Sequence, residues 1–334
     1  MKKYTHAWLA LKAVEMLKRS DGRFGSDERN KRLKKLLAFI SAHPSTFVRG
    51  AWFPDSVVKD NVMGGHTWKY YLDPSDGRRE RRRPPTHNTC LRFVTSDLDK
   101  MVSLDLSMSD LPDRCEALCQ TIRDTILITN KVSSGDVVAF NDSQTALFFL
   151  MLSHYVCDAH VPVHCDKRDF YTPSKVHPDL EAFWEREIKK YYRVSTKTNQ
   201  FDLDEDMILQ RNISRLGYEE SILCRCEEIL DETDWENMNA GGDDWRIFLG
   251  GGNKNFWDYI VSVCLVSFHM SLRMFPINPP DNIDYDTVRI MDVPQFKRAI
   301  LDYSPYILAD AINSVAVLWL ASWERWELLR KGTW

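Results

Sequence analysis

The chain has 334 residues, a formal net charge of -4 and 44% hydrophobic residues. That hydrophobic share suits a globular protein with a sizeable core. The slight negative charge excludes coating of duplex nucleic acid by bulk electrostatics, while leaving room for a local basic patch.

The first residues, Met1 to Trp8, carry Lys2 and Lys3 but no following apolar run or small-residue cleavage site. No signal peptide is read there, so a cytoplasmic location is expected. Residues 6–17 place Trp8, Leu9, Leu11, Ala13, Val14 and Leu17 on a helical stripe, and 26–40 opens with the capping signature Ser26-Asp27-Glu28-Arg29. Residues 43–90 are rich in proline, glycine and aromatics and hold Asp55, His66 and the run Arg78, Arg79, Arg81, Arg82 and Arg83. A loop that long inside a compact domain usually carries function. Helical patterns resume at about 109–131, 142–159, 177–192, 203–230, 254–274 and 304–331. No strand alternation or internal repeat is found. The expected fold is an all-α, multi-helix bundle with long functional loops, organised as one domain over 1–334.

Two apolar stretches bear on membranes. Phe256–Met274 is interrupted by Asp258, His269 and Arg273, and 311–323 is too short to span. Both read as buried helices, so no transmembrane segment is expected; transient contact with a membrane surface stays open. Eight cysteines occur without a CxxC pair, which fits reduced thiols better than disulfides. Cys157 sits one residue off the face shared by His154 and Asp158 and reads as packing.

The segment 154–164 brings His154, Asp158 and His164 close together, and His177 with Glu181 follows. A histidine and a carboxylate four apart on a helix share one face and can grip one cation. Pro162 cannot continue a helix, so the chain turns there and returns His164 toward the same place. Five such ligands exceed one tetrahedral zinc and suit a cluster, which points to metal-assisted hydrolysis. For His154 and Asp158 alone, an ordinary i,i+4 surface pair is the default. Conjunction with the other histidines in one ordered pattern outweighs it.

His154-Tyr155-x-x-Asp158-x-His160-x-Pro162-x-His164 resembles the signature of the zinc-dependent phospholipase C and single-strand nuclease superfamily. His177-x-x-x-Glu181, with Trp184 after it, is similar to that family's second ligand helix. Gly50-Ala51-Trp52-Phe53-Pro54-Asp55 resembles the aspartate loop, and His66 with the turn Tyr71-Leu72-Asp73-Pro74-x-x-Gly77 resembles the next histidine. His87 competes with His66, but spacing and the trailing turn favour His66. His6 falls where the family places its N-terminal histidine. These motifs run in order from residue 6 to about 185, giving a metal-site core over about 1–190 and a helical C-terminal part over about 200–334.

The resemblance implies up to three zinc ions. Asp55, His66, His154 and Asp158 would hold the first, and His164, His177 and Glu181 the second. His6 and Asp158 would hold the third, Asp158 bridging it to the first. The family completes that third site with an N-terminal amine and carbonyl, a place Met1 would have to fill. A hydroxide bridging two zincs would attack phosphorus, with Asp55 orienting or deprotonating the water and Glu181 the rival for that role. His160 points off the ligand face and is expected to be a supporting or exposed residue; His43 and His269 are expected to be structural.

The expected function is a phospholipase C-like phosphodiester hydrolase. The alternative is a single-strand nuclease using the same zinc cluster. The substrate would be a phospholipid or a single-stranded nucleic acid, with the arginine run as anion tether or as ordinary solvated loop. The His-Tyr opening and the glutamate in the second pair lean towards the phospholipase branch. Cys157, and the absence of Asn after His164, depart from the phospholipase signature. A third reading is a non-catalytic scaffold stabilised by metal.

Overall fold

A computed structural model describes residues 1–23, 27–44, 46, 51–58, 90–92, 103–105, 111–131, 142–166, 168, 170, 173–212, 214–232, 256–279 and 283–330. Helix accounts for 72% of them and strand for 4%, which places the protein in the all-α class. The helices are α1 (Lys3–Arg19), α2 (Asp27–Ser41), α3 (Leu111–Lys131), α4 (Asp142–Ala159), α5 (Val176–Tyr191), α6 (Ile222–Glu232), α7 (Phe256–Met274) and α8 (Pro294–Arg330). A π-helical turn at Pro54–Val58 and 3-10 turns at Pro162–His164 and Ile290–Asp292 lie between them. Two small antiparallel pairs complete the description: β1 (Cys90–Arg92) with β2 (Ser103–Asp105), and β3 (Val194–Ser195) with β4 (Gln200–Phe201).

Helix α1 is enclosed on every side. The sequence stripe is buried, but so are Tyr4, Thr5, His6, Ala7, Ala10, Lys12, Glu15 and Met16 between its members. It packs against α2, α4, α5 and α8. A helix without a solvent face must pair its charges. Lys12 Nζ lies 2.7 Å from Glu15 Oε2 and 2.5 Å from Glu227 Oε1, and Glu15 Oε1 accepts the Leu209 N–H at 3.0 Å. The helix ends where Ser20 turns its hydroxyl back onto the Met16 carbonyl and Gly22 takes a left-handed φ of 80°.

The C-terminal helices back those that carry the histidines. Helix α7 lies on α3, α4 and the 162–164 turn, and α8 on α1, α2, α3, α4 and α6. Trp319 Nε1 donates to the Phe149 carbonyl at 2.7 Å, and Trp184 Nε1 donates to Ser304 Oγ at 2.8 Å. Ser267 Oγ donates to the Ala159 carbonyl at 2.6 Å, satisfying an orphan acceptor at the end of α4. Buried side chains from all eight helices join one apolar cluster.

Three sequence expectations shift. The stretch 203–230 is helical only from Ile222, and its first part is irregular with bridges Leu203↔Leu209 and Tyr192↔Arg211. Asp204 Oδ1 accepts the backbone N–H groups of Asp206 and Ile208, a local bond that competes with helix, and Met207 adopts a φ of 61°. Helix α8 begins at Pro294, not 304, and runs through Pro305, a residue that usually marks a first turn. As a result 294–324 is long and apolar enough to cross a membrane by length and composition, beyond the 311–323 read from the pattern, and 78% of its most apolar window is buried in the fold. The small strand pairs are further elements that alternation did not reveal.

Trp184 is fully buried and joins α5 to α8 through its indole N–H. Trp184→Ala is expected to destabilise the fold by about 3–5 kcal/mol in a denaturant titration. A loss below about 1 kcal/mol would show that this junction carries little of the packing.

Candidate metal centre

Helix α4 presents His154 and Asp158 from one face, with His154 Nε2 3.3 Å from Asp158 Oδ2. The helix stops at Ala159, Val161 is extended, and Pro162 opens the 3-10 turn that ends at His164. That reversal sets His164 Nδ1 3.6 Å from Asp158 Oδ1. Helix α5 starts at Val176, whose N–H is accepted by Ser174 Oγ at 3.2 Å, and its first turns present His177 and Glu181 together. His177 Nε2 lies 2.8 Å from Glu181 Oε1, and His164 Nε2 lies 2.8 Å from His177 Nε2 and 3.2 Å from the same Glu181 oxygen.

The π-helical turn supplies Asp55, its Oδ1 3.5 Å from His154 Nε2. From α1, His6 Nε2 reaches to 3.4 Å from Asp158 Oδ1, and its ring stacks on His154 at 3.8 Å between centroids. The donor atoms of His6, Asp55 and His154 all lie within 4.8 Å of one another, as do those of His164, His177 and Glu181. Asp158 touches both groups. His66, His87, Gly50, the 71–77 turn and the arginine run 78–83 lie outside the described residues.

Charge explains the protonation pattern. Burial alone would raise the Asp158 carboxyl, but the Met1 amine, His154 and His6 hold it well below the usual range. Glu181 is also held well below its usual range, burial being outweighed by the Met1 amine, His164 and His177. The Met1 ammonium sits between them, 2.8 Å from each, and against burial these two carboxylates raise it to about 11. Burial works against charge on His154, but Asp158 and Asp55 raise it to about 9. Burial, the neighbouring His154 and the Met1 amine push His6 down to about 3. Two stacked imidazoles this deep hold one positive charge, and it rests on His154. Burial and the Met1 amine lower His164 to about 4.

These donors fit divalent cations. Tetrahedral ligands about 2.0–2.1 Å from zinc stand about 3.3–3.4 Å apart. The separations of 3.3, 3.4 and 3.5 Å around His154, His6, Asp158 and Asp55 match that edge. Around Glu181 the 2.8 Å separations are hydrogen-bond lengths, and a cation would need the donors to part by about 0.5 Å. Both ring nitrogens of His6 are buried; Nδ1 has no hydrogen-bond partner among the described residues, and Nε2 faces Asp158 Oδ1 at a long 3.4 Å. Buried polar atoms are nearly always satisfied, and a coordinated cation would account for such nitrogens. His154 Nδ1 donates to the Ala51 carbonyl at 2.7 Å, which fixes the ring and leaves Nε2 aimed at Asp55 and Asp158.

Sequence reading missed the Ala51 carbonyl, since a backbone acceptor leaves no residue signature. Trp52, which the sequence offers only as a member of the aspartate loop, has its ring centroid 6.0 Å from that of His6 and 6.3 Å from that of His154. Cys157 is fully buried and its thiol is pushed up by burial. His269 is exposed on α7, and His43 lies 3.4 Å from Ser143 Oγ. Compared with protein-family models and with curated proteins, the chain matches none.

Zinc measured by mass spectrometry is expected to fall in His164→Ala while the helical circular dichroism stays within a few per cent of wild type. Unchanged zinc would remove the second cluster from consideration. Because His154 keeps its proton below about 9 in the metal-free protein, a cation must displace that proton. Zinc affinity, measured by chelator competition, is therefore expected to rise from pH 6 to pH 8; a flat profile would contradict the assignment of His154.

Proposed function

We propose that the protein is a zinc-dependent phosphodiester hydrolase of the phospholipase C-like kind, with this centre as its active site. The observation that carries the reading is the shared, ionised Asp158 with a three-donor cluster on either side. One group of ligands would be His6, Asp55, His154 and Asp158, joined by His66 as the sequence resemblance implies. The other would be His164, His177 and Glu181. Imidazole nitrogen and carboxylate oxygen without thiolate form a donor set suited to zinc. Cations held there would supply Lewis acidity toward a phosphoryl oxygen and lower the pKa of water.

The protein's own groups divide the remaining work. Asp158 is sealed, 3% exposed at its side chain, so it would serve as a ligand and cannot meet a substrate. Asp55 is 29% exposed and its carboxyl is held below the usual value: burial opposes this, and the hydrogen bond from His154 overcomes it. An ionised carboxylate at the lip of the centre can hold or accept the proton of an attacking water. Glu181 is 9% exposed and bonded to two imidazoles, which leaves it less free for that task. The accessible edge at Asp55 and His177 supports an open centre over a closed structural metal site.

Asp55→Asn is expected to retain most bound zinc and to lower kcat on an activated aryl phosphodiester by about 100-fold. A rate within about threefold of wild type would pass the role to Glu181. Phosphatidylcholine and single-stranded DNA, offered in parallel to the zinc-loaded protein, separate lipase from nuclease. No turnover on any of the three would leave a metal-stabilised scaffold.

A further inference from the structure

A further charged cluster lies past the 162–164 turn, in the chain that joins the two histidines of the His164, His177 and Glu181 group. Asp166 is buried, 1% exposed, and donors from two directions converge on its carboxylate. Ser271 Oγ of α7 donates to Oδ2 at 2.7 Å, and the Arg168 backbone N–H donates to Oδ1 at 3.0 Å. The Arg168 guanidinium spans both oxygens, through Nε at 3.1 Å and Nη2 at 2.5 Å. Its remaining arm, Nη1, donates at 2.6 Å to the carbonyl of Phe275, one residue beyond α7. A helix C-terminus leaves carbonyls unpaired and favours a cation, so the guanidinium suits that place. Its carbon centre also lies over the Phe170 ring, 4.8 Å from the centroid.

This clamp sits between two proposed metal ligands. Asp166 follows His164 by two residues, and the carbonyl of Phe170 accepts the His177 N–H at 3.1 Å. The end of α7 therefore grips the chain beside both histidines, at Asp166 next to His164 and at Phe170 next to His177. An arginine paired with an exposed carboxylate would fix little. Here the carboxylate is buried, the fork is bidentate and the third arm closes a helix end, which leaves the side chain one seat. His164 Nε2 and His177 Nε2 stand 2.8 Å apart, and a cation needs them to part by about 0.5 Å, so a small displacement of either backbone decides whether the cation fits. We propose that Arg168 is a positioning residue for this second cluster: seated between Asp166 and the end of α7, it keeps His164 and His177 within reach of one cation. The proposal rests on the metal reading of that cluster.

The test is zinc affinity, by chelator competition on the intact protein, in wild type, Arg168→Lys, His164→Ala and the double variant. Lysine keeps a positive charge near Asp166 but cannot bond that carboxylate and the Phe275 carbonyl with one planar fork. The ion that wild type holds and His164→Ala lacks reports the second cluster. Its affinity is expected to fall about tenfold or more in Arg168→Lys. The zinc kept by His164→Ala is expected to stay within about twofold when Arg168→Lys is added, because a change that merely loosened the fold would weaken both clusters. Ser271→Ala removes one bond from Asp166 and is expected to weaken the same ion by about threefold; it decides the matter if Arg168→Lys loses native helicity. Wild-type affinity at the second cluster in natively helical Arg168→Lys, or in Ser271→Ala where the lysine variant does not fold, would overturn the proposal. So would an equal loss from both clusters. Equal zinc in wild type and His164→Ala would overturn the metal reading of this cluster, and the proposal with it.

Discussion

An ionised carboxylate sealed among apolar helices must be answered by positive charge, and Asp158 is that carboxylate. Its oxygens stand within 3.6 Å of His6, His154, His164 and the Met1 amine, which arrive from α1, α4 and the turn beyond it. In water these groups would be worth little to one another; with water excluded, each fixes the charge of the next. The proton on His154 and the ammonium of Met1 are the counter-ions available to the protein alone. Divalent cations would serve the same carboxylates with stronger fields.

The wider fold follows from holding this charge in place. Helices α1 and α4 are buried almost throughout, so neither can shift without breaking packing on several sides. Their rigidity sets His6 and His154 ring against ring. The C-terminal helices, which carry no proposed ligand, provide the other wall: α7 and α8 cover α4, and Ser267 donates to the carbonyl of its last residue, Ala159. Local chemistry then aims the donors. Pro162 reverses the chain for His164, and Ser174 settles the start of α5 for His177 and Glu181.

Much of this was legible because helix geometry is periodic. The i,i+4 pairs His154/Asp158 and His177/Glu181, and the break at Pro162, follow from 3.6 residues per turn and from the chemistry of proline. The all-α class followed from the same periodicity. What escaped depended on long-range packing or on backbone atoms. Asp204 captures nearby N–H groups and withholds helix from 203–221 despite apolar spacing. Pro305 lies inside α8, a helix that packs on α1, α2, α3, α4 and α6, and the local pattern around a proline does not show such packing. His160 was expected to be supporting or exposed, yet it is buried with Ser314 and Asp310, partners more than 140 residues away that no local pattern connects.

The most direct test is the zinc content of the purified protein and of Asp158→Asn, measured by mass spectrometry on natively helical samples. If Asp158 ties both clusters together, wild type carries about two or more zinc ions per chain and the variant loses most of them from both sides. Wild-type zinc content in Asp158→Asn, or none in the wild-type protein after zinc loading, would contradict the account.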